Sequence, residues 1–256
     1  MRRTKLYGLI LILLAAMVVQ AAPTNISFQT TNDSEVYFNQ GLSNAEAGRY
    51  QEAIESLKRA ISLRPDFAEA FNNLGYAYSK LQRNEEATAA FERAIQLNPR
   101  LAQAHNNLGY VYAAERRFEK AIQAYLQSIR VNPKYMFAHL NLGMAYAELG
   151  RFQDAIASLT EATRLEPDFA VAHHNLGYVL MQAGRYDDAV RAYKQAIQLK
   201  PDFAEAYHNL GVVYLDLGNR NLALEQYGKL KAVDRDKAEK LLDVINQDRV
   251  VMVRKQ

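Results

Sequence analysis

The sequence of 256 residues contains no cysteine and no tryptophan. The lack of cysteine excludes disulfides, thiolate metal sites and a cysteine nucleophile. It also fits an exported protein, because an oxidising compartment penalises stray thiols. No phosphate-binding glycine loop and no nucleophile-elbow motif is present in the sequence. We therefore expect a non-catalytic protein that carries no cofactor and no metal.

The body of the protein also lacks an excess of charge of one sign. The formal net charge is +3, and Arg2, Arg3 and Lys5 supply three positive charges within residues 1–21, which contain no acid. The remainder balances 28 basic against 28 acidic residues. The high isoelectric point therefore gives no support for nucleic-acid binding.

Only one long apolar run is present, from Leu6 to Val19, between a basic head and a small residue at Ala21. This order predicts a signal peptide over residues 1–21 and a periplasmic or otherwise extracytoplasmic location. The run is short for a membrane span. The alternative is an uncleaved anchor of residues 6–22, the only case in which we expect membrane contact. Residues 22–33 are polar and lack periodicity, which predicts a linker.

Five prolines recur at one constant spacing, at Pro65, Pro99, Pro133, Pro167 and Pro201. This period predicts a repeat protein. Counting outward from the prolines gives six units over 34–237, in which proline falls at position 32. The units are 34–67, 68–101, 102–135, 136–169, 170–203 and 204–237.

Each unit reads as two helices, because positions 4, 7, 8 and 11 form an apolar stripe with helical spacing. Glycine fills position 8 of every unit, although a glycine inside a helix costs about 1 kcal/mol relative to alanine. We expect that it allows close approach of the paired helix. The sequence "DFAE" at 66–69 and 202–205 predicts capping boxes at the starts of first helices. The glycines are Gly41, Gly75, Gly109, Gly143, Gly177 and Gly211.

The units share one pattern of residues. It has an aromatic residue at position 4, Leu at 7, Gly at 8, Tyr at 11, Ala at 20, Phe or Tyr at 24, Ala at 27 and Pro at 32. This pattern resembles the tetratricopeptide repeat over 204 of the 256 residues. The resemblance implies an all-α fold, a right-handed superhelical solenoid of six helix-turn-helix units whose first helices line a concave groove. Such arrays need polar ends, and we expect a capping helix over 238–248 and a tail over 249–256.

Position 6 is asparagine in every unit, on the side of the first helix opposite the core stripe. An asparagine amide offers both donors and an acceptor, which match a peptide group, so the row can hold an extended peptide by its backbone. The row is similar to the asparagine ladder in the repeat region of the O-linked N-acetylglucosamine transferase, which implies peptide binding. The alternative is that each amide bonds a neighbouring repeat. The row is Asn39, Asn73, Asn107, Asn141, Asn175 and Asn209.

The same side of the first helices holds positions 2, 5, 9, 12 and 13, and we expect it to be exposed and to bind peptide through apolar and aromatic side chains. Lys80 is its only basic residue, which excludes a phosphate-binding groove. His105, His139 and His173 at position 4 are expected in the core. His174 and His208 are neighbours but lack further metal ligands. The other predicted peptide contacts are Tyr76, Tyr110, Phe137, Leu140, Met144, Val171, His174, Tyr178, Met181 and His208.

These features favour an exported scaffold or adaptor that binds an extended segment of a protein partner in its groove. The alternative is a structural assembly factor of a cell-envelope complex that acts through its convex face or edges. Six-repeat pilus-assembly proteins have a similar layout, but they are usually lipid-anchored through a cysteine that this chain lacks.

Cleavage after Ala21 predicts that the native protein begins at Ala22, because small residues at Val19 and Ala21 suit signal peptidase. N-terminal sequencing of the protein from its own cells measures this. A full-length N-terminus in the membrane fraction would instead establish the anchor.

Overall fold

A computed structural model describes the backbone of residues 29–253 and the side chains of residues 33–247. Within this part the chain forms thirteen α-helices and no strand, so the predicted all-α fold class is confirmed. The helices are α1 (Gln29–Glu46), α2 (Tyr50–Leu63), α3 (Ala68–Lys80), α4 (Asn84–Leu97), α5 (Ala102–Ala114), α6 (Phe118–Val131), α7 (Met136–Glu148), α8 (Phe152–Leu165), α9 (Ala170–Gln182), α10 (Tyr186–Leu199), α11 (Ala204–Asp216), α12 (Arg220–Val233) and α13 (Arg235–Val253).

The chain divides into two compact units, Met1–Val111 and Tyr112–Gln256. In the first unit α1 packs on α2, α2 on α3 and α3 on α4. In the second, each helix from α6 to α13 packs on the next, and the first helices also touch one another, α7 with α9 and α9 with α11. Contacts therefore run between consecutive helices and adjacent repeats, as expected for a repeat array.

In four repeats the glycine at position 8 lets the two helices of the repeat approach closely, as predicted. A Cβ on Gly75 would lie 2.7 Å from Cε1 of Phe91 in α4, and one on Gly143 would lie 2.6 Å from Cγ of Leu159 in α8. Real Cβ atoms do not approach other heavy atoms that closely. The second helices complete this core with fully buried side chains at positions 20, 24 and 27. They include Ala53, Leu57, Ala60, Ala87, Phe91, Ala94, Ala155, Leu159, Ala162, Ala189, Tyr193 and Ala196.

The turns between paired helices need a left-handed residue at position 15. Gly150 and Gly184 supply it with φ of 71° and 73°, the conformation in which glycine carries no steric cost. In two repeats without that glycine, Gln82 and Arg116 adopt φ of 59° and 61°. The turn geometry is therefore kept where the glycine is lost.

The predicted capping boxes at 66–69 and 202–205 are wrong. Helices α3 and α11 begin one residue later than that prediction requires, after Phe67 and Phe203, and neither cap makes a side-chain hydrogen bond. Both rings are buried in the core, 8% and 5% exposed. Burial of the aromatic ring, rather than an aspartate cap, therefore fixes where the first helix starts.

The predicted ends of the array also differ from the structure. Helix α1 already begins at Gln29, within the predicted linker, because a polar first turn carries no apolar period to reveal it. Helix α13 runs through the predicted boundary at 248 to Val253, and Asp234 caps it by accepting the backbone N–H of Lys237 at 2.9 Å. The predicted signal peptide over 1–21 lies outside the described residues. In the part of the chain that is described, no helix has the length and apolarity needed to cross a membrane.

Gly143→Ala is expected to lower the free energy of unfolding by about 1–3 kcal/mol, because the new Cβ overlaps Leu159. Gly228→Ala is the matched control, since Gly228 lies inside α12 and a Cβ added there would meet no neighbouring atom within 4 Å. There the higher helix propensity of alanine is expected to add up to about 1 kcal/mol. Urea denaturation measures both, and equal effects of the two substitutions would contradict the role given to position 8.

Candidate functional site

The candidate site is the first-helix face, defined as the side of the first helices that carries positions 2, 5, 6, 9, 12 and 13 of each repeat. Its first-unit part lies on α1, α3 and residues 102–111 of α5. Its second-unit part lies on α7, α9 and α11. Every residue predicted to contact peptide belongs to one of these two parts.

The expectation that this face is exposed is wrong for several of its residues. Leu140 is fully buried, Met144 is 6% exposed, and Asn107, Asn141 and Asn175 are 9%, 4% and 5% exposed. The reason is that neighbouring first helices contact each other, so α7 packs Leu140 and Met144 into one apolar cluster with residues of α9. Helix periodicity identifies the face that points away from the paired helix, but not this contact between repeats.

The remaining predicted residues keep part of their surface accessible. In the second unit a half-buried apolar row is formed by Phe137, Val171, Tyr178 and Met181. The Phe137 ring packs edge-on against Phe169, with ring centroids 5.9 Å apart. Asn39 is exposed, and Asn73, Tyr76, Tyr110, His174, His208 and Asn209 are half-buried.

In the first unit the row asparagines bond protein atoms. The Nδ2 of Asn107 donates to Oδ1 of Asn72 in the preceding repeat at 3.1 Å. Its own Oδ1 accepts a longer bond of 3.4 Å from Asn106. Asn73 instead donates to the backbone carbonyl of Glu69 at 2.8 Å. One of these bonds, between Asn107 and Asn72, joins two repeats.

In the second unit a similar chain of hydrogen bonds includes histidine. Nδ1 of His208 meets Oδ1 of Asn209 at 3.4 Å, Nδ2 of Asn209 meets Nε2 of His174 at 3.1 Å, and Nδ1 of His174 meets Oδ1 of Asn175 at 3.3 Å. Because an amide oxygen only accepts and an amide nitrogen only donates, His174 must be neutral with its proton on Nδ1. This chain joins α9 to α11.

The polar residues at position 5 that bond the row asparagines were not predicted from the sequence. A signal was present, since asparagine or histidine precedes the row asparagine in four repeats and an apolar residue, Phe38 or Leu140, does so in the other two. The four polar residues are Asn72, Asn106, His174 and His208. For Asn107 and Asn209, the alternative that the amides bond a neighbouring repeat is confirmed. Peptide binding by the row stays a prediction.

Burial shifts the pKa values of several side chains on this face. It lowers the pKa of His174 and of His208, because the charged imidazolium loses solvation. Burial, and then the neighbouring Tyr50, raises the pKa of Tyr76 to about 12. At neutral pH both histidines are therefore uncharged, and the hydrogen-bond chain described above is the form that is present.

The expectation that position-4 histidines lie in the core is also wrong. His105, His139 and His173 are half-buried, and each points Nε2 at the carbonyl of the proline six residues earlier, at 3.0, 2.9 and 2.8 Å. A carbonyl only accepts, so each ring donates. These histidines tie the loop between repeats to the helix that follows. Among the described residues no group of three or more metal-ligating side chains is present.

Comparison with known proteins agrees with this architecture. A family model described as the cilia and flagella-associated protein 70 C-terminal domain, a tetratricopeptide-repeat domain, matches residues 12–234. The chain belongs to this tetratricopeptide-repeat family. No curated protein sequence matches it.

Three solved structures show the same fold. PilW, described as a widely conserved type IV pilus biogenesis factor, has a TM-score of 0.75 and 23% identity, covering 84% of this chain and 100% of its own. PilF of Pseudomonas aeruginosa has a TM-score of 0.73 and 18% identity, covering 84% and 98%. YrrB, described as a protein with an unusual peptide-binding site, has a TM-score of 0.61 and 24% identity, covering 74% and 99%. At these identities the likeness is one of fold.

Asn107→Ala is expected to lower the free energy of unfolding by about 1 kcal/mol, because it removes the bond to Asn72 and leaves that amide without its donor. Asn39→Ala is the control, since Asn39 holds the same repeat position but is exposed. Its change is expected to stay within about 0.5 kcal/mol. Chemical denaturation of the two variants decides whether the asparagine row contributes to stability. A loss no larger than that of the control would contradict the bond's contribution.

The folded protein is expected to lose stability as the pH falls below about 6.5. His174 and His208 have lowered pKa values in the folded state, so the unfolded chain takes up protons first and is favoured. The free energy of unfolding is expected to fall by up to about 1.4 kcal/mol per pH unit for each histidine. Urea midpoints at pH 7.5 and 5.0 measure the effect. The double variant His174→Gln, His208→Gln should show a shallower dependence, and an unchanged one would assign the effect to other groups.

Proposed function

We propose that the chain is a non-catalytic scaffold that binds an extended segment of a partner protein on the first-helix face of its second unit. The observation that carries this proposal is the half-buried apolar row of Phe137, Val171, Tyr178 and Met181. Several large apolar side chains that stay partly accessible on one face of a domain are typical of contact sites. Tyrosine and methionine also suit recognition, because they offer large and adaptable contact area.

The hydrogen bonds between the asparagines and histidines limit which amide groups can bind a ligand. Asn175 and Asn209 already use their oxygens to accept from His174 and His208. An asparagine amide has two N–H groups and two lone pairs on oxygen. Asn209, which is half-buried and also donates one N–H to His174, therefore keeps one N–H and one lone pair for a ligand. We infer that the row holds the face rigid and offers its remaining groups to the ligand backbone. A rigid face reduces the entropy lost on binding.

The family supports a protein partner, since solved tetratricopeptide-repeat proteins of this fold include YrrB with its peptide-binding site. The alternative function, structural assembly in the cell envelope, has the likeness to PilW in its favour, which is a likeness of fold. Export through residues 1–21 remains a proposal that both functions share. The two functions differ in the surface used, because assembly through the opposite side would involve the second helices.

Tyr178→Ala is expected to weaken binding of a captured partner by about tenfold or more, because a central aromatic contact is lost. The partner is first captured with the full chain from an extract of its own cells, and its affinity is then measured by calorimetry. Met181→Ala is a second variant on the same face, and a thermal melt of each confirms folding.

Leu224→Ala is the matched control, since Leu224 is an apolar residue of α12 that is 38% exposed on a second helix. Normal binding by this variant, beside weakened binding by Tyr178→Ala, supports the first-helix face. The reverse pattern would overturn the proposal and favour assembly through the second helices.

A further inference from the structure

Charge is distributed unevenly between the two kinds of helix in the second unit. The first helices α7, α9 and α11 contain three carboxylates, Glu148, Glu205 and Asp216, and no lysine or arginine. His174 and His208, which lie on the first-helix face, add no positive charge at neutral pH, because burial lowers their pKa values. The chain outside residues 1–21 balances 28 basic against 28 acidic residues, so the negative charge of these first helices is a local excess.

The second helices show no such excess, because each carries lysine or arginine as well as carboxylates, and several of these charges are paired. Arg164 of α8 lies 2.6 Å from Glu161, and Lys229 of α12 lies 2.7 Å from Glu225. Asp188 of α10 pairs with an arginine on each side. A basic ligand is therefore not drawn to these surfaces in preference to the first-helix face.

Glu148 differs from Glu205 of the same face, because the charge of Glu205 is paired. Glu205 is matched by Lys237, with Nζ and Oε1 3.2 Å apart. Glu148 is exposed at the end of α7, and among the described residues no cation pairs with it. Glu148 is on α7, which contacts α9, the helix that carries Tyr178. In keeping with this contact between the helices, the charge of Glu148 raises the pKa of Tyr178, although burial raises it more.

The first unit contains an intramolecular example of how such a tyrosine binds a cation. Tyr76 occupies position 9, as Tyr178 does, and the Nζ of Lys80 at position 13 lies 5.3 Å from the centroid of its ring. In the repeat of Tyr178, position 13 is Gln182. The ring of Tyr178 therefore has no cation from its own repeat, while Glu148 lies on the first helix that contacts its own. Cation and ring at this distance attract each other.

We propose that Glu148 and Tyr178 form a subsite for a lysine or arginine side chain of the bound segment, next to the apolar row that takes a bulky apolar residue. The preferred ligand is thus an extended segment in which a basic residue neighbours an apolar one. This inference rests on the proposed function, because it specifies what the same face recognises. An acidic segment finds no cation on α7, α9 or α11, and the nearby Lys237 of α13 is already paired with Glu205 and Asp234.

The first test is selection from a random 12-residue peptide display library on the full chain. Wild-type protein is expected to enrich lysine or arginine beside a bulky apolar residue. The variant Glu148→Gln is expected to keep the apolar preference and lose the basic one. Equal basic enrichment by both proteins would overturn the subsite. Failure to enrich any peptide would overturn the proposed function, which separates the two conclusions.

The second test is a double-mutant cycle with one selected peptide. Replacing its basic residue by glutamine is expected to weaken binding to wild type about fivefold and to Glu148→Gln less than about twofold, since a partly exposed ion pair is modest in strength. In 0.5 M salt the wild-type difference should shrink. Glu92→Gln, an exposed charge change on α4, is the control and should behave as wild type. Equal losses in wild type and Glu148→Gln, beside weakened binding by Tyr178→Ala, would overturn the subsite alone.

Discussion

The close contact between the two helices of a repeat is the constraint on which the rest of the structure depends. A glycine on the first helix faces a large side chain on the second at a distance that excludes any Cβ, as between Gly143 and Leu159. This contact fixes which side of each first helix is turned inward. It thereby fixes the opposite side, on which the asparagine row, the half-buried apolar row and Glu148 must lie. The proposed binding face therefore takes its orientation from this one contact.

That opposite side combines hydrogen bonds between repeats with side chains that stay partly accessible. The hydrogen bonds of Asn107 with Asn72 and of Asn209 with His174 hold neighbouring repeats together. The side chains between and beside them remain partly accessible, Tyr178 among them. A residue type can therefore recur at one position for a structural reason and still shape a binding surface. At Asn107 and Asn209 the repeated asparagine has a local cause in the contact between repeats, whatever ligand the face binds.

The features that recur at a fixed interval were predictable from the sequence. The burial of residues at the contact between repeats was not. Spacing of Pro65 and its successors located the repeats, and glycine at position 8 revealed the helix contact, because both signals recur at one interval. Burial of Leu140 and Asn141 was not predictable in this way, since helix periodicity describes one helix and its partner but not the next repeat. The helix starts at Ala68 and Ala204 were misplaced for a related reason, because the buried rings of Phe67 and Phe203 outweigh the aspartate signal.

The last repeat departs from the others in the residue that covers its glycine. Gly143 meets Leu159 on the second helix of its own repeat, whereas Gly211 meets Leu241, which lies beyond its repeat on α13. The core of the sixth repeat is therefore completed by a side chain from outside the repeat. Helix α13 thus replaces the second helix as the surface against which this glycine packs, and the sixth repeat is not a self-contained unit of the array.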